Sequence, residues 1–466
     1  MRFHKFKFLL AATLAAAQAA AAEKPFAGVE REVFQRIGRN VAWHLDEADR
    51  TRADEAVRAA LRRPLTLPVA VQIALNHNNG LQAMFEEIGL SFAELRQARL
   101  ASNPEVDFAA KFPDRPPSGT KLEWVVAQNF IDLVMLPMRA RVARHQLRAA
   151  QLRVGDEVIK LVADVKSAYY SVQADEAMLA RLRELADAQQ VSVELARKLF
   201  AAGNLPELRL AQEQAARSQA QLKVSQAEAD AREHREKFNR LLGLSGAEIG
   251  WRLAGGLPAV PAADPSGRNL EAVAIANRLD FSAARADVDS AGAALNQEKS
   301  WRFLPSFTVG LTGEREPDST NLIGPAVKLP LPIFDTGVAR VARGESRLRQ
   351  AERKMDHLVV NLQSEVRELR DRLANKRATA RMYQDEILPT HRKILALTLL
   401  NYNAMITGGF ELFTAKQELT EAEQAGLAAT RDYWITRAEL ERAVGGDLSA
   451  RLTPNPKSVT SRNQSN

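Results

Sequence analysis

The pentapeptide Ala140-Arg141-Val142-Ala143-Arg144 occurs a second time as Ala339-Arg340-Val341-Ala342-Arg343, 199 residues later. Four further landmarks recur in the same order at nearly the same separation: Asn103-Pro104 with Leu304-Pro305, Phe130-Ile131-Asp132 with Ile333-Phe334-Asp335, Gly203 with Gly408, and Leu242-Gly243 with Val444-Gly445. Five ordered matches at nearly one offset indicate an internal structural repeat of about 200 residues.

Each half of the chain predicts the same series of elements. A helix opens it, over residues 65–100 in the first half and 269–301 in the second, with Thr66 as the first N-cap. Two strands joined by a polar loop follow, then a long outgoing helix, a glycine-containing turn and a returning helix. The proline-rich residues 255–268 join the two halves.

Period-two alternation predicts the strands. The apolar positions that share a face are Val106, Phe108, Ala110 and Phe112 in the first half, and Phe307, Val309 and Leu311 in the second. A segment of about nine residues is long enough for a tilted strand to cross a bilayer's hydrocarbon core. The partner segments, residues 122–132 and 322–332, alternate less clearly. The pattern also fits a small sheet in a soluble protein, and four strands cannot close a barrel without further chains.

The long stretches without proline are the second feature that indicates the fold. Residues 138–200 contain no proline and only one glycine, Gly155, and a helix of that length would reach roughly 90 Å. Apolar residues at three- and four-residue steps predict a stripe of coiled-coil type, which also fits the core face of an ordinary helical bundle: Met178, Leu182, Leu185, Ala188, Val191, Leu195 and Leu199. The chain turns at residues 202–206 and returns over residues 207–242. In the second half the turn lies at residues 407–409, and Pro389 predicts a kink or break in the outgoing helix.

The N-terminus predicts export. Arg2, Lys5 and Lys7 precede an apolar run, and an Ala-Ala-Ala cleavage motif ends at Ala22, so residues 1–22 are predicted to be a secretory signal peptide. The alternative is a membrane anchor helix, but the apolar run from Phe8 to Ala20 is shorter than the roughly 20 residues that such a helix needs. The net charge of +7 includes the N-terminal segment and a basic C-terminal tail. Along the helices lysine and arginine are interspersed with carboxylates, which is typical of solvated helix faces rather than of a nucleic-acid surface.

The residues that would carry chemistry are absent or scattered. The 466-residue chain has no cysteine, so disulfides and thiolate metal sites are excluded. No two of its seven histidines have H-x-x-x-H spacing, and it contains no G-x-S-x-G, P-loop or G-x-G-x-x-G motif. We therefore expect neither an enzyme nor a bound cofactor or metal.

These landmarks resemble the TolC (outer-membrane efflux protein) family over residues 65–446. The resemblance rests on Leu65-Thr66-Leu67, Ala74-Leu75-Asn76-His77-Asn78, Phe200-Ala201-Ala202-Gly203, Ala276-Asn277-Arg278-Leu279-Asp280, Leu329-Pro330-Leu331-Pro332-Ile333-Phe334-Asp335, Tyr402-Asn403-Ala404, Arg437-Ala438-Glu439-Leu440-Glu441-Arg442-Ala443 and Gly445-Gly446. It implies a mainly α fold with a small β part: a tandem repeat of helix, β-hairpin and long helical hairpin. Three chains would form an α-barrel and a 12-stranded transmembrane β-barrel.

The resemblance also implies a domain organisation and a function. Residues 23–64 would be an N-terminal extension, residues 65–254 and 269–446 the two repeats, residues 255–268 a linker and residues 447–466 a disordered tail. The homotrimer would sit in outer-membrane lipid with its helices in the periplasm. There it would be a passive duct of a tripartite pump, engaged by a periplasmic adaptor (membrane fusion) protein and an inner-membrane pump such as the resistance-nodulation-division type.

The implied contact sites lie at the helical turns. The adaptor-facing tips would be Gly203, Asn204, Leu205 and Pro206 in the first half, and Gly408, Gly409 and Phe410 in the second. Tyr402, Thr407 and Glu411 would lie near the periplasmic gate, although Glu411 also fits an ordinary solvated helix residue. The competing function is a soluble periplasmic helical adaptor or scaffold, which explains the hairpins but not strands of spanning length.

Overall fold

The computed structural model describes residues 25–112, 114–115, 119–263, 269–303 and 306–448. The predicted signal peptide and residues 449–466 of the predicted tail lie outside them, as do residues 264–268 of the predicted linker. The described residues form two compact units: unit 1 comprises those within 25–29, 84–154 and 279–360, and unit 2 those within 30–83, 155–278 and 361–448. Within this described part, no helix has both the length and the apolar character that a membrane crossing requires.

The elements follow one another in the order that the sequence predicts for each repeat. The helices are α1 (Ala27–Ile37), α2 (Glu47–Leu61), α3 (Leu67–His77), α4 (Asn79–Ala98), α5 (Phe130–Ala201), α6 (Glu207–Leu242), α7 (Leu270–Asn277), α8 (Leu279–Ser300), α9 (Val338–Met382), α10 (Leu388–Asn403) and α11 (Gly409–Ala443). The strands are β1 (Glu105–Lys111), β2 (Lys121–Asn129), β3 (Thr308–Arg315) and β4 (Asn321–Lys328). The mainly helical fold with a small sheet is therefore confirmed.

Unit 1 contains one four-stranded antiparallel sheet in the order β1-β2-β3-β4. Its central pairing joins the two halves of the chain, with Val126 opposite Leu311. Pro325 interrupts the alternation of β4, yet it pairs opposite Leu311 within that strand. An edge strand accommodates a proline because one of its sides makes no ladder hydrogen bonds. Every residue of β1 is exposed, so the sheet has two open edges and a largely uncovered surface.

The opening helix of each repeat is broken once, which the sequence did not predict. In the first repeat the break is at Asn78, whose side chain accepts a hydrogen bond from the Leu81 amide (3.0 Å) and donates one to the Leu241 carbonyl (2.9 Å). Thr66 occupies the N-cap position of α3, but its side chain makes no capping hydrogen bond. In the second repeat the break is at Arg278, whose backbone is extended.

A glycine at the end of each repeat packs against that break, and both glycines lie in unit 2. Gly243 has φ +77° and a Cβ there would lie 2.6 Å from the His77 carbonyl oxygen. Gly445 has φ +81°, and a Cβ there would lie 3.0 Å from the Asn277 carbonyl oxygen. Both positions have a left-handed backbone, which favours glycine. A side chain would overlap the backbone at Gly243 and would be tightly packed at Gly445. This equivalence is the clearest structural sign of the repeat.

The core of unit 2 is built on aromatic residues of α5, α6 and α11. Tyr433 is fully buried, and the ring of Phe238 packs edge-on against those of Tyr169 and Trp251, with centroids 6.0 and 5.2 Å away. The Tyr169 hydroxyl donates to the Leu65 carbonyl at 3.1 Å, and so it anchors the start of the first repeat to the long helix.

Three details of the long helices differ from expectation. α5 begins at Phe130, eight residues earlier than predicted, and includes Pro137. In its apolar stripe Val191 is exposed while Val193 is fully buried, because the buried face follows the 3.6-residue helical period rather than strict three- and four-residue steps. Of the kink or break predicted at Pro389, the break is absent: residues Tyr383–Ile387 form a π-helical turn immediately before α10, and helical backbone continues through it.

Candidate functional site

The first predicted tip is a compact helix-ending turn between α5 and α6. The Asn204 amide donates to the Leu199 carbonyl and the Gly203 amide to the Phe200 carbonyl, both at 2.9 Å. This is the Schellman arrangement, which places its αL residue at Gly203 (φ +74°). A Cβ at this glycine would meet nothing within 4 Å, so the turn faces open space. Pro206 then sits at the N-cap of α6.

The second tip repeats the same motif with a different residue at its centre. The Ile406 amide donates to the Asn401 carbonyl at 2.9 Å, and Met405 holds the left-handed backbone with φ +56°. Met405 is thus the structural counterpart of Gly203, and the pairing of Gly203 with Gly408 was wrong. Gly408 has an ordinary negative φ and is the N-cap of α11. The pairing failed because hydrogen-bond pattern, not glycine identity, defines the turn.

The structure brings the two predicted tips together within unit 2. The guanidinium of Arg209, in the first turn of α6, lies 4.6 Å from the centroid of the Phe410 ring in the first turn of α11. A Cβ at Gly409 would lie 3.4 Å from Leu195 of α5. The first turns of α6 and α11 therefore contact each other, and the first turn of α11 also lies close to the last part of α5.

The three predicted gate residues are also neighbours of this contact. A Cβ at Gly409 would lie 3.7 Å from the ring of Tyr402, which is itself exposed. Glu411 is exposed in the first turn of α11, where its charge is favourable to the helix N-terminus. The Thr407 hydroxyl is buried without a hydrogen-bond partner in the described part of the chain. Their role as a gate stays a prediction.

Exposed apolar side chains surround the tips, and the sequence analysis missed them. Met405 is 94% and Ile406 72% exposed, and no residue of α10 is buried. On the first hairpin Leu208 is 71% exposed. A helical periodicity predicts one apolar face but cannot tell whether the same chain covers it. Here an uncovered apolar surface at both tips indicates contact with another molecule.

A second feature that the sequence analysis missed lies farther along the same helices. The carboxylate of Glu423 on α11 lies between two arginines, 3.4 Å from Nε of Arg181 on α5 and 3.6 Å from Nη2 of Arg392 on α10. These groups line a cavity of about 530 Å³, together with Tyr383 of the π-helical turn and Gly426. A single carboxylate thus holds three helices together beside the irregular turn.

Half-buried carboxylates form a third cluster, in a smaller crevice of about 260 Å³ between α5, α6 and α11. Burial raises the pKa of Asp164 above its ordinary value of 3.8, against the opposing effect of the Arg442 charge. Burial likewise raises the pKa of Glu439. The described residues contain no group of three histidine, aspartate or glutamate side chains arranged to hold a metal ion.

Comparison with known proteins agrees with the repeat and with the fold. Residues 70–244 and 272–446 each match the family model described as outer membrane efflux protein. The cobalt-zinc-cadmium resistance protein CzcC of Cupriavidus metallidurans is 24% identical over 391 residues, which cover 82% of this chain and 90% of that protein.

Solved structures show the same fold at lower identity. A membrane protein from Pseudomonas aeruginosa superposes with a TM-score of 0.68 at 20% identity, covering 82% of this chain and 90% of that one. The CmeC outer membrane channel of Campylobacter jejuni gives a TM-score of 0.67 at 15% identity, covering 82% and 87%. Since the family model matches most of the chain in two tandem segments, this chain belongs to the outer membrane efflux protein family.

Proposed function

We propose that this chain is the outer-membrane channel of a tripartite efflux system. It would be a passive exit duct for substrates that an inner-membrane transporter drives through a periplasmic adaptor. Membership of the outer membrane efflux protein family supports this function, and so does the tandem repeat with its two long helical hairpins. The proposal includes the division into repeats at residues 65–254 and 269–446, joined by a linker.

The observation that carries the proposal is the incomplete sheet. β1 and β4 are unpaired on their outer sides within the described residues, and strand side chains such as Phe108 and Ile323 are exposed. Open edges are not tolerated in lipid, so neighbouring copies must supply the missing partners. Three chains with four strands each would close a 12-stranded barrel, with the outer membrane as its location and the helices in the periplasm.

The exposed apolar tips support the adaptor as partner. Met405, Ile406 and Leu208 would be covered when a periplasmic adaptor docks on the hairpins. Tyr402, Thr407 and Glu411 would then form the periplasmic gate, because they adjoin the contact between the two tips. The family consists of transport channels, and we propose that this chain likewise has no catalytic step. The alternative of a soluble adaptor is not supported, since the family model that matches describes outer-membrane proteins.

The first experiment is fractionation of cells that express the full chain. We expect the protein in the outer-membrane fraction, extracted only by detergent, with light scattering near three times the monomer mass. Unheated samples should migrate differently from heated ones on a denaturing gel. A soluble periplasmic monomer would contradict the proposal.

The second experiment tests the tips. Leu208→Asp places a charge on the exposed apolar tip, and Leu222→Asp places the same charge on another exposed leucine of the same helix, which makes it the matched control. We expect the first variant to lose adaptor cross-linking and resistance while trimer formation is retained. Because CzcC is named for cobalt, zinc and cadmium resistance, these ions are the first cargo to assay, beside organic toxicants. Equal loss in both variants would remove the tip from the docking surface.

A further inference from the structure

Each β-hairpin of unit 1 is followed by a short apolar segment, which is largely exposed in the second repeat and partly exposed in the first, where Ile131 is buried and the Phe130 ring packs against Phe307. In the second repeat, residues 329–337 are not helical, Phe334 is 100% exposed, and Leu331 and Ile333 are 71% and 70% exposed. In the first repeat the corresponding residues form the first turns of α5, where Phe130 and Leu133 are exposed. The two segments differ in backbone but share apolar, solvent-facing side chains directly after the last strand residue.

A strongly basic stretch follows each apolar segment. Residues 130–154 contain five arginines and one carboxylate, and residues 338–360 contain six basic residues and three carboxylates. Both stretches therefore carry an excess of positive charge and adjoin the sheet in sequence.

Several of these arginines have no ion-pair partner among the described residues. Exposed Arg141 and Arg144 are unpaired on α5, and exposed Arg343 and Arg347 are unpaired on α9. Arg343 and Arg347 are one helical turn apart, so their side chains point to the same side of the helix. Unpaired, same-sided guanidinium groups favour binding of an anion with several oxygen atoms.

Arg343 and Arg347 line a crevice of about 460 Å³ between α4, α5, α8 and α9. Two carboxylates in its wall already pair with other arginines: Asp287 lies 2.5 Å from Nη2 of Arg153, and Glu298 lies 3.6 Å from Nε of Arg340. Glu94 is the remaining carboxylate of the lining. The side of the crevice formed by α9 thus offers two free cationic groups beside Gln146 and Ser91, which can donate further hydrogen bonds.

We propose that this surface of unit 1 binds the phosphate headgroups of an anionic phospholipid leaflet. The apolar segments insert at the boundary between acyl chains and headgroups, and the arginines that follow them meet the phosphates. Arg343 and Arg347 hold one phosphate diester in the crevice. An apolar run followed by a basic run is the order expected for a segment that lies at a membrane surface. The inference rests on the proposed function, which places the sheet in a bilayer.

The distances along the helix are compatible with this assignment. Arg340 lies two residues and Arg347 nine residues after the start of α9, which correspond to roughly 3 and 14 Å of helix rise. The attraction between a charged leaflet and an exposed cation extends over about 8 Å at physiological salt. An extended arginine side chain adds several ångströms of reach, so the first three turns of α9 can interact with headgroups.

The test measures lipid binding by the full-length trimer in a neutral detergent. Short-chain phosphatidylglycerol, phosphatidylcholine with the same acyl chains, and inorganic phosphate are the three probes. We expect preference for phosphatidylglycerol, and about thirtyfold weaker binding for Arg343→Gln/Arg347→Gln at low salt, since each cation contributes about fivefold. Arg353→Gln/Lys354→Gln removes the same charge from the same helix outside the crevice and should weaken binding less than threefold.

A second measurement follows the apolar segment. Phe334→Trp, with the wild-type fluorescence subtracted, should be quenched by lipids brominated near the headgroup end of the acyl chain. Absence of quenching, with burial of the new tryptophan only on trimer assembly, would assign the segment to contact with a second copy and overturn the proposal. Inorganic phosphate bound as tightly as the lipid, or no difference between the two double variants, would overturn it as well.

These outcomes are distinguishable from failure of the proposed function. If the channel assignment is wrong, the wild-type protein will be a soluble monomer whatever its arginines do. If only the lipid assignment is wrong, every variant will remain a trimer of the outer-membrane fraction and lipid preference will be unchanged.

Discussion

Two glycines with a left-handed backbone and nearly equal φ allow the effect of close packing to be separated from the effect of backbone strain. Gly203 has φ +74° in the first hairpin tip, and Gly243 has φ +77° at the end of the first repeat. A Cβ at Gly203 would meet nothing within 4 Å, whereas at Gly243 it would lie 2.6 Å from a backbone carbonyl oxygen. The same substitution, Gly→Ala, therefore introduces backbone strain at both positions but a steric clash at only one.

The expected magnitudes follow from these two effects. A non-glycine residue in the αL region costs about 1–2 kcal/mol, and the reduced entropy of the unfolded chain offsets part of this cost. We therefore expect Gly203→Ala to destabilise its turn by about 1 kcal/mol. At Gly243 either the His77–Asn78 backbone or the turn itself must shift, and overpacking of this kind costs a further 1–3 kcal/mol. Gly243→Ala should thus be destabilising by about 3 kcal/mol.

Amide hydrogen exchange of the intact protein, read by mass spectrometry, is the appropriate assay because it reports each turn separately. Gly203→Ala should accelerate exchange only at the tip, over residues 198–206. Gly243→Ala should accelerate exchange both at residues 239–245 and at the break between α3 and α4, which is distant in sequence. Equal effects of the two substitutions, or no change near Asn78, would refute the argument that close packing requires the second glycine.

Three further predictions concern the site. Met405→Gly should slow amide exchange at the second tip by up to about fivefold, since it relieves αL strain of about 1 kcal/mol; faster exchange would contradict this. Burial raises the pKa of Asp164 and Glu439 in the folded protein, so their contribution to stability is full below the unfolded pKa and is lost as pH rises through the folded pKa. The melting temperature of Asp164→Asn should therefore change less between pH 4 and 7 than that of the wild type. Glu423→Gln should cost about 1 kcal/mol, against less than 0.5 kcal/mol for the exposed Glu368→Gln in urea titrations.

Much of the fold could be predicted because a repeat presents each pattern twice. α6 occupies the predicted residues 207–242, the first strand of each hairpin lies where alternation placed it, and the second strand lies within the predicted partner segment or one residue before it. The breaks in the opening helices could not be predicted, because Asn78 and Arg278 are not helix breakers in themselves. Each break also packs against a glycine about 165 residues later in the chain. A contact between residues so far apart in the sequence could not be predicted from the residues at the break.

The candidate site was predictable in position but not in detail. The sequence marked both turns, yet it assigned the second one to Gly408 because glycine is the usual αL residue. Met405 can hold that conformation because its side chain is 94% exposed and meets no obstacle, so only intrinsic backbone strain opposes it. The exposure of the apolar side chains at the tips likewise could not be predicted, since a sequence pattern shows which residues are apolar but not which of them the folded chain leaves uncovered.

The two repeats differ in backbone conformation directly after each β-hairpin, over residues 130–138 and 329–337, but both keep apolar residues there. Residues 130–138 are helical despite Pro137, and the Arg139 side chain donates to the Asp132 carbonyl at 3.1 Å, within the turn that the proline weakens. Residues 329–337 hold two prolines, and residues that precede proline disfavour helix, so the chain stays non-helical. Packing within one chain would tie these side chains to one backbone conformation. Here the two backbones differ, yet each leaves apolar side chains exposed, Phe130 in part and Phe334 fully, and each is followed by a basic stretch. Exposed apolar residues next to basic ones are what contact with a lipid leaflet requires.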